Sequence, residues 1–442
     1  MKRSSANQQE IKTNKFLKPE TDLFSDLCEQ ESIKCIKDFE KSSSGAITKA
    51  GPIIFNIEAN PKYFTDLTNT YLRVKLRVTK NGGQSLVKED KGQMTVTNDF
   101  FNSLFSRIKL ELNDVSCNAN TTTHPTATLV KYLTSCNQFY RENILRHSNV
   151  WYKDFGGNDL SVIERVRHVF IEESRQLTLV GRLTPDAFGC KRLLLPNIRI
   201  TIILDRTDPQ FSIYRTRGSK DTYEIEISEC TIIMRHVELL NSALNHIQTR
   251  LNAGAMAVMP FFKTETRCFT VPQGQLTWRV NNIFNGKLPT RCLFMLTDTT
   301  TISGGSFDRN AGVFPGKVAG KYNLNFVDFY VNQDSILTKP YTPDFDNGDY
   351  IESFLGLTKT LRALNSDQWF PLSCKEWGTD YSIFGADLTA DKTNFNSTSE
   401  GTVSLQVQFK DVTTEAVSGI LIGEFRSAIK IDKHNNVSVI DV

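Results

Sequence analysis

The sequence predicts an all-β chain of two β-sandwiches in series, with a few short helices. Three observations carry this expectation. Apolar and polar residues alternate with period two along much of the chain from residue 51 onward, the signature of half-buried strands. The composition includes 29 Phe but only 4 Trp and 14 Pro, which suits tightly packed sheet cores better than helical bundles. Near residue 238 the period changes to a helical one through Leu240, Leu244, Ile247 and Leu251, closed by Asn252-Ala253-Gly254. That helix divides the chain into two β-rich blocks, 51–237 and 238–432, between an N-terminal arm (1–50) and a C-terminal tail (433–442).

The arm comes first. Residues 1–18 hold five basic residues against Glu10 alone. The stretch 19–40 reverses the sign, with Glu20, Asp22, Asp26, Glu29, Glu31, Asp38 and Glu40 against Lys34 and Lys37. Ser42-Ser43-Ser44-Gly45 then punctuates the chain. Such a segment buries too little to fold alone, and it reads either as an arm that orders on a partner or as a solvated tail.

In the first block, strands are expected at Ile53–Ile57, Tyr71–Val78, Ile108–Leu112, Leu177–Leu183, Asn197–Leu204 and Tyr223–Met234. Within the second of these, Arg73, Lys75 and Arg77 face away from Leu72, Val74, Leu76 and Val78. Pro125 suits the first turn of a helix in which Leu129, Leu133 and Cys136 share a face. In the second block, strands are expected at Phe269–Val271, Leu276–Val280, Cys292–Thr297, Tyr322–Val331, Val403–Phe409 and Ile420–Ile431, with a helix from Asp349 to Leu364. The halves share no obvious sequence repeat.

Several function classes are set aside by what the sequence lacks. A formal charge of +3 over 442 residues gives no reason to expect a nucleic-acid-coating surface. The nine cysteines are widely spaced with no C-x-x-C, which fits buried, reduced residues better than a zinc ribbon or a disulfide framework. The opening MKRSSANQQEIKTNK carries no apolar stretch, and the expectation is a chain folded in cytosol-like conditions. No phosphate-cradling glycine loop, G-x-S-x-G elbow or H-E-x-x-H occurs, and the six histidines are scattered. No catalytic, cofactor-binding or metal-binding residue is therefore assigned, and no cofactor or small-molecule substrate is expected. The acidic loop of Asp344, Asp346 and Asp349 departs from the EF-hand template and reads as a polar turn leading into the next helix. Phe211–Arg217, basic and aromatic, reads as a solvated sheet edge.

An ordered series of segments then carries a resemblance. GPIIFNIEANPKYFTDLTNTYLRVKLRV (51–78) and NDFFNSLFSRIKLELNDV (98–115) are followed by LTLVGRLTPDAF (177–188) and LLLPNIRITIIL (193–204). CFTVPQGQLTW with NIFNGKLPTR (268–291), YNLNFVDFYVNQDSILTKPYTPDF (322–345) and GILIGEFRSAIKIDKHNNV (419–437) complete the series. It resembles the double jelly-roll major capsid protein of Polinton/Maverick elements and the related adintoviruses over residues 51–437; the departures are mainly loops such as Asp298–Ala319 and Ala390–Gly401. The resemblance implies a double jelly roll, two eight-stranded antiparallel β-sandwiches in tandem. It also implies a non-enzymatic coat protein of the virion, made in the host cytoplasm and assembled there or in the nucleus. Three chains would form a homotrimeric, pseudo-hexagonal capsomer tiling an icosahedral shell around double-stranded DNA. The implied partners are neighbouring capsomers, penton and minor capsid proteins, and packaged DNA through the basic arm. Outer-face charges such as Arg73, Lys75 and Arg77 would be available for side-by-side contacts. A competing expectation is a jelly-roll module that binds carbohydrate or protein, with Trp369 and Trp377 as candidate platform residues.

Overall fold

The computed structural model describes residues 32–441 apart from 91–92, 119–121, 153–165, 216–220, 300–313, 364–369 and 389–399. In the first half the strands are β1 (Ile33–Ser42), β2 (Ile53–Ile57), β3 (Phe64–Lys80), β4 (Met94–Val96), β5 (Phe105–Leu112), β6 (Val115–Ser116), β7 (Leu177–Arg182), β8 (Ile200–Arg206), β9 (Ile213–Arg215) and β10 (Tyr223–Leu239). The second half has β11 (Ala257–Val271), β12 (Thr277–Val280), β13 (Arg291–Asp298), β14 (Lys317–Val318), β15 (Tyr322–Val331), β16 (Asp334–Ser335), β17 (Phe384–Asp387), β18 (Val403–Phe409), β19 (Val417–Ile431) and β20 (Val437–Asp441).

The sheets run β1-β10-β3-β7 facing β2-β8-β5-β6, and β11-β19-β13-β17 facing β12-β18-β15, the last extended by β14 and by the β16 hairpin. Setting aside β4, β9, β14 and β20 and ranking the other strands within each half gives the same order twice. One sheet reads 1-8-3-6 and its partner 2-7-4-5, the jelly-roll order, with β6 and β16 as the equivalent fifth strands. The chain has the double jelly-roll fold. The expectation of two eight-stranded sandwiches holds, and an internal duplication that the sequence does not show appears in the pairing order.

Two boundaries differ from expectation. Ile33–Ser42, assigned to the arm, is the first strand of the first sandwich and pairs antiparallel with β10 from Ile33↔Leu239 to Ser42↔Thr231. Both its faces are largely exposed, so the alternation that betrays a half-buried strand is absent from IKCIKDFEKS. Val437–Asp441, assigned to the tail, pairs with the end of β19. Residues 1–31 of the expected arm lie outside the described residues.

Helices sit at equivalent places, between the fifth and sixth strands of each sandwich: His124–Ser135 in the first half and Ile351–Thr360 in the second. Pro125 stands in the first turn as expected. The second helix is shorter than predicted because an antiparallel bridge between Asp344 and Asp349 precedes it, and Arg362, at φ 56°, turns the chain away after Leu361. The linking helix, Asn241–Asn252, lays Leu244, Ile247 and Leu251 on the first core, and Gly254 follows it at φ 88°.

Each sandwich has its own core, yet each core borrows from the other half. Phe55, Phe100, Phe105 and Phe188 pack with Met259 and Phe261 of β11 and Ile429 and Ile431 of β19. Phe294, Phe329, Trp377 and Phe384 pack with Leu129, Val130 and Leu133 of the first half's helix and with Trp151. Ile429 is wholly buried beneath the first sandwich. Ile429→Ala is expected to cost about 2–5 kcal/mol. Because the substitution sits at the shared seam, urea unfolding followed by fluorescence and by circular dichroism should show one coincident, shifted transition.

Candidate functional site

Among the described residues no group of three or more His, Cys, Asp or Glu side chains is placed to hold a metal ion. The acidic loop is committed to its own neighbours. Asp344 Oδ1 accepts from the backbone amides of Asp346 and Asn347 at 3.0 and 3.2 Å, and Asp346 is held by the ammonium groups of Lys317 and Lys410 and by Asn323 Nδ2. Those two lysines hold the Asp346 carboxyl down at about 2. The loop is the polar turn the sequence suggested, tied down by two lysines that the sequence did not reveal.

Trp377 is wholly buried and donates from Nε1 to the Ile383 carbonyl at 2.8 Å, so it is a core residue and offers no sugar platform. Trp369 lies outside the described residues. Of the basic-aromatic stretch, Ile213–Arg215 forms β9 against β4. Eight cysteines are described, all free. Cys117, Cys190, Cys230 and Cys292 are buried as expected, whereas Cys268 is exposed. Trp377→Ala is expected to cost about 3–5 kcal/mol in a denaturant titration.

The outer face of the β1-β10-β3 sheet is charged, but its charges are already matched. Arg73 reaches across β10 to Glu40 on β1, Lys75 pairs with Glu229 and Arg77 with Glu226, each at 2.6 Å. These residues were expected to be available for contacts with other molecules. Instead they form a cross-strand ladder within the chain, because strand register places opposite charges on neighbouring strands. At the strand end, His236 stacks between Phe39 and Tyr63, with ring centroids at 5.2 and 5.6 Å.

Exposed apolar side chains recur at equivalent places in the two halves. Phe139 (72% exposed) and Ile144 follow the helix between the fifth and sixth strands of the first sandwich, and Ile351 and Leu355 lie on the corresponding helix of the second. Folded monomers usually keep such residues scattered. In both halves they fall on the connection between the fifth and sixth strands, after the helix in the first and on it in the second.

A cleft of about 1260 Å³ lies between the sandwiches, walled by the helix His124–Ser135, residues 184–192, and parts of β11, β13 and β19. Arg291 grips Glu424 with two hydrogen bonds, at 2.6 and 3.1 Å. Lys131 donates to the Thr184 carbonyl at 3.0 Å. Lys131 keeps surface toward the cleft, and the desolvation it does suffer pushes its pKa down.

Behind the helix is a buried polar cluster that sequence reasoning missed. Asn102 Nδ2 donates to both Asp99 oxygens at 2.9 Å, and Asn149 Nδ2 donates to Asp99 Oδ1 at 2.8 Å. With its amide turned to Asp99, Asn102 offers Oδ1 to His124 Nε2 at 3.3 Å, which selects the neutral Nε2-protonated ring. Burial pushes the Asp99 carboxyl up to about 7 against its donors and pushes His124 down to about 3. The only sequence signal was Pro125, which placed the helix that buries His124.

Opposite pH dependences follow. Asp99 favours folding most below its unfolded value of 3.8, and that contribution is lost as pH rises toward 7. His124 favours folding above its unfolded value of 6.5, and that contribution is lost as pH falls toward 3. Between pH 4 and 6.5 the two slopes oppose each other. Asp99→Asn should therefore unmask a steeper acid-side loss of thermal stability, and His124→Gln a steeper loss toward neutral pH. Midpoints measured from pH 4 to 8 check both, the Asp99 swing being on the order of 4 kcal/mol.

No protein-family model matches the chain, and no curated protein matches it. Solved structures do. A chain in the cryo-EM structure of the Sputnik virophage aligns at 13% identity and TM-score 0.59, covering 100% of this chain and 94% of its own. A chain of the PBCV-1 virus capsid aligns at 11% identity and TM-score 0.55, covering 94% of this chain and 99% of its own. The mavirus major capsid protein aligns at 9% identity and TM-score 0.52, covering 100% of this chain and 96% of its own. At these identities the likeness is one of fold, and it runs through both sandwiches rather than one.

Proposed function

We propose that this chain is the major capsid protein of a double-stranded DNA virus or virus-like element of the Polinton/Maverick type, and that it carries out no reaction. It forms a homotrimeric, pseudo-hexagonal capsomer that tiles an icosahedral shell. The observation that carries this reading is the end-to-end match of both jelly rolls with chains of viral capsids, in which neither partner has a large unmatched domain. The duplicated strand order supports it. Two sandwiches of the same topology per chain give a trimer six comparable corners, the requirement for packing on a hexagonal net. The exposed apolar residues at matching connections supply surface for contacts with other copies.

Within this reading the chain resides in the virion, with neighbouring capsomers, penton and minor capsid proteins as partners. The basic residues at 1–18 would meet packaged DNA or a neighbouring arm. The matched charge ladder suits close tiling, since a sheet face with no net field does not repel its copy.

The solution mass of the purified chain tests the proposal. A compact trimer of about 150 kDa (three times 50.1 kDa) with a six-cornered outline in negative stain is expected; a stable monomer would sink it. Deleting residues 2–31, which spares β1, should leave trimers intact and weaken shell assembly, as seen by counting closed particles. Unchanged assembly would remove the arm from the scheme.

A further inference from the structure

We propose that the cleft between the two sandwiches is the docking site for residues 20–31 of a neighbouring copy. This deepens the self-assembly reading above and rests on it. The cleft wall is cationic in excess. Lys131, Lys191 and Arg192 line it with no salt bridge among the described residues; Lys131 and Arg192 donate to the carbonyls of Thr184 and Val258, and Lys131 also feels the charges of Glu424 and Asp186. Its two acids are occupied, Glu424 by Arg291 and Asp186 Oδ1 by the Thr264 amide at 2.9 Å. The same wall is apolar. Phe262 is 55% exposed on β11, beside Pro260, and Phe370 also faces the cavity. A small inorganic anion would satisfy the cations and leave this apolar surface wet. An acidic peptide with apolar side chains satisfies both.

The chain contains such a peptide. ETDLFSDLCEQE, residues 20–31, carries Glu20, Asp22, Asp26, Glu29 and Glu31, no cation, and Leu23, Phe24 and Leu27 between the acids. It lies outside the described residues. A separate copy is the better donor because of where the segment is tethered. The Leu240 amide holds the Ser32 carbonyl at 2.9 Å beside β1, at the far edge of the sheet from β7, whose following residues 184–192 form the cleft wall. Three strand spacings, about 15 Å, separate those edges, so a segment from the same chain would spend its last residues on the crossing. A neighbour's segment enters whole.

Photocrosslinking in the full-length protein tests this. With Phe24→p-benzoylphenylalanine and a mixture of isotopically light and heavy chains, the expected adduct joins two different chains and maps to residues 258–262 or Phe370. Lys131→Glu with Arg192→Glu should cut its yield about tenfold, and adding Asp22→Lys with Asp26→Lys should restore it. Lys191→Glu, on an exposed segment, should lower the yield without altering the fold. Adducts confined to one chain, adducts elsewhere, or a yield indifferent to charge reversal would overturn the proposal. The solution mass of the same sample separates the two ideas: trimers without a cleft adduct defeat the docking site alone, and monomers defeat the capsid reading as well.

Discussion

The two sandwiches depend on a reciprocal burial at their seam. Leu129 and Leu133 of the first half sit in the second core, while Met259, Phe261, Ile429 and Ile431 of the second half sit in the first. Removing either half would expose a group of large apolar side chains and leave a void in the other, and close-packed interiors tolerate neither. Two domains joined only by a linker could rock against each other. Sharing cores in both directions fixes their angle. The cleft is the solvent-facing remainder of the same seam, so its shape follows from the core packing beneath it.

What the sequence reveals is the faces of strands, and what it hides is their partners. β2, β15 and β18 have the boundaries read from the sequence: β2 alternates strictly between core and solvent, and β18 does so beyond its first three residues, while β15 is buried on both faces over much of its length and was marked by its apolar run. β1 was invisible because both faces are exposed. Most of β11 was missed because KTETR interrupts its apolar face where the sheet leaves one core for the other. The duplicated strand order could not have been read from either half, since alternation records burial and carries no record of which strand lies alongside. The family resemblance supplied that order, and the structure carries it through both halves.

The polar features divide along the same line. The polar turn of Asp344, Asp346 and Asn347 was legible because its residues are adjacent in sequence, whereas the lysines that hold Asp346, Lys317 and Lys410, come from distant segments and were not. The Asp99, Asn102, His124 and Asn149 cluster was not, since its members come from three separate segments and meet only after the helix is packed. The outer charges were visible one strand at a time, but their mutual neutralisation depends on which strands lie side by side: Lys75 and Arg77 meet β10, and Arg73 meets β1, the strand the pattern failed to show. A lone row of Arg73, Lys75 and Arg77 suggests a surface seeking partners, and the same row opposite Glu40, Glu229 and Glu226 is already satisfied.

β20 bears on how the chain is born. Val437 and Val439 lean against the first core, and Asn113, in the β5–β6 turn, donates to the Asn435 carbonyl just ahead of this strand. During translation, residues 33–239 emerge long before the stretch that completes their packing. The core of the first sandwich is therefore completed by β19 and β20, strands made after nearly all of the second half, and it stays open along that side until they are in place.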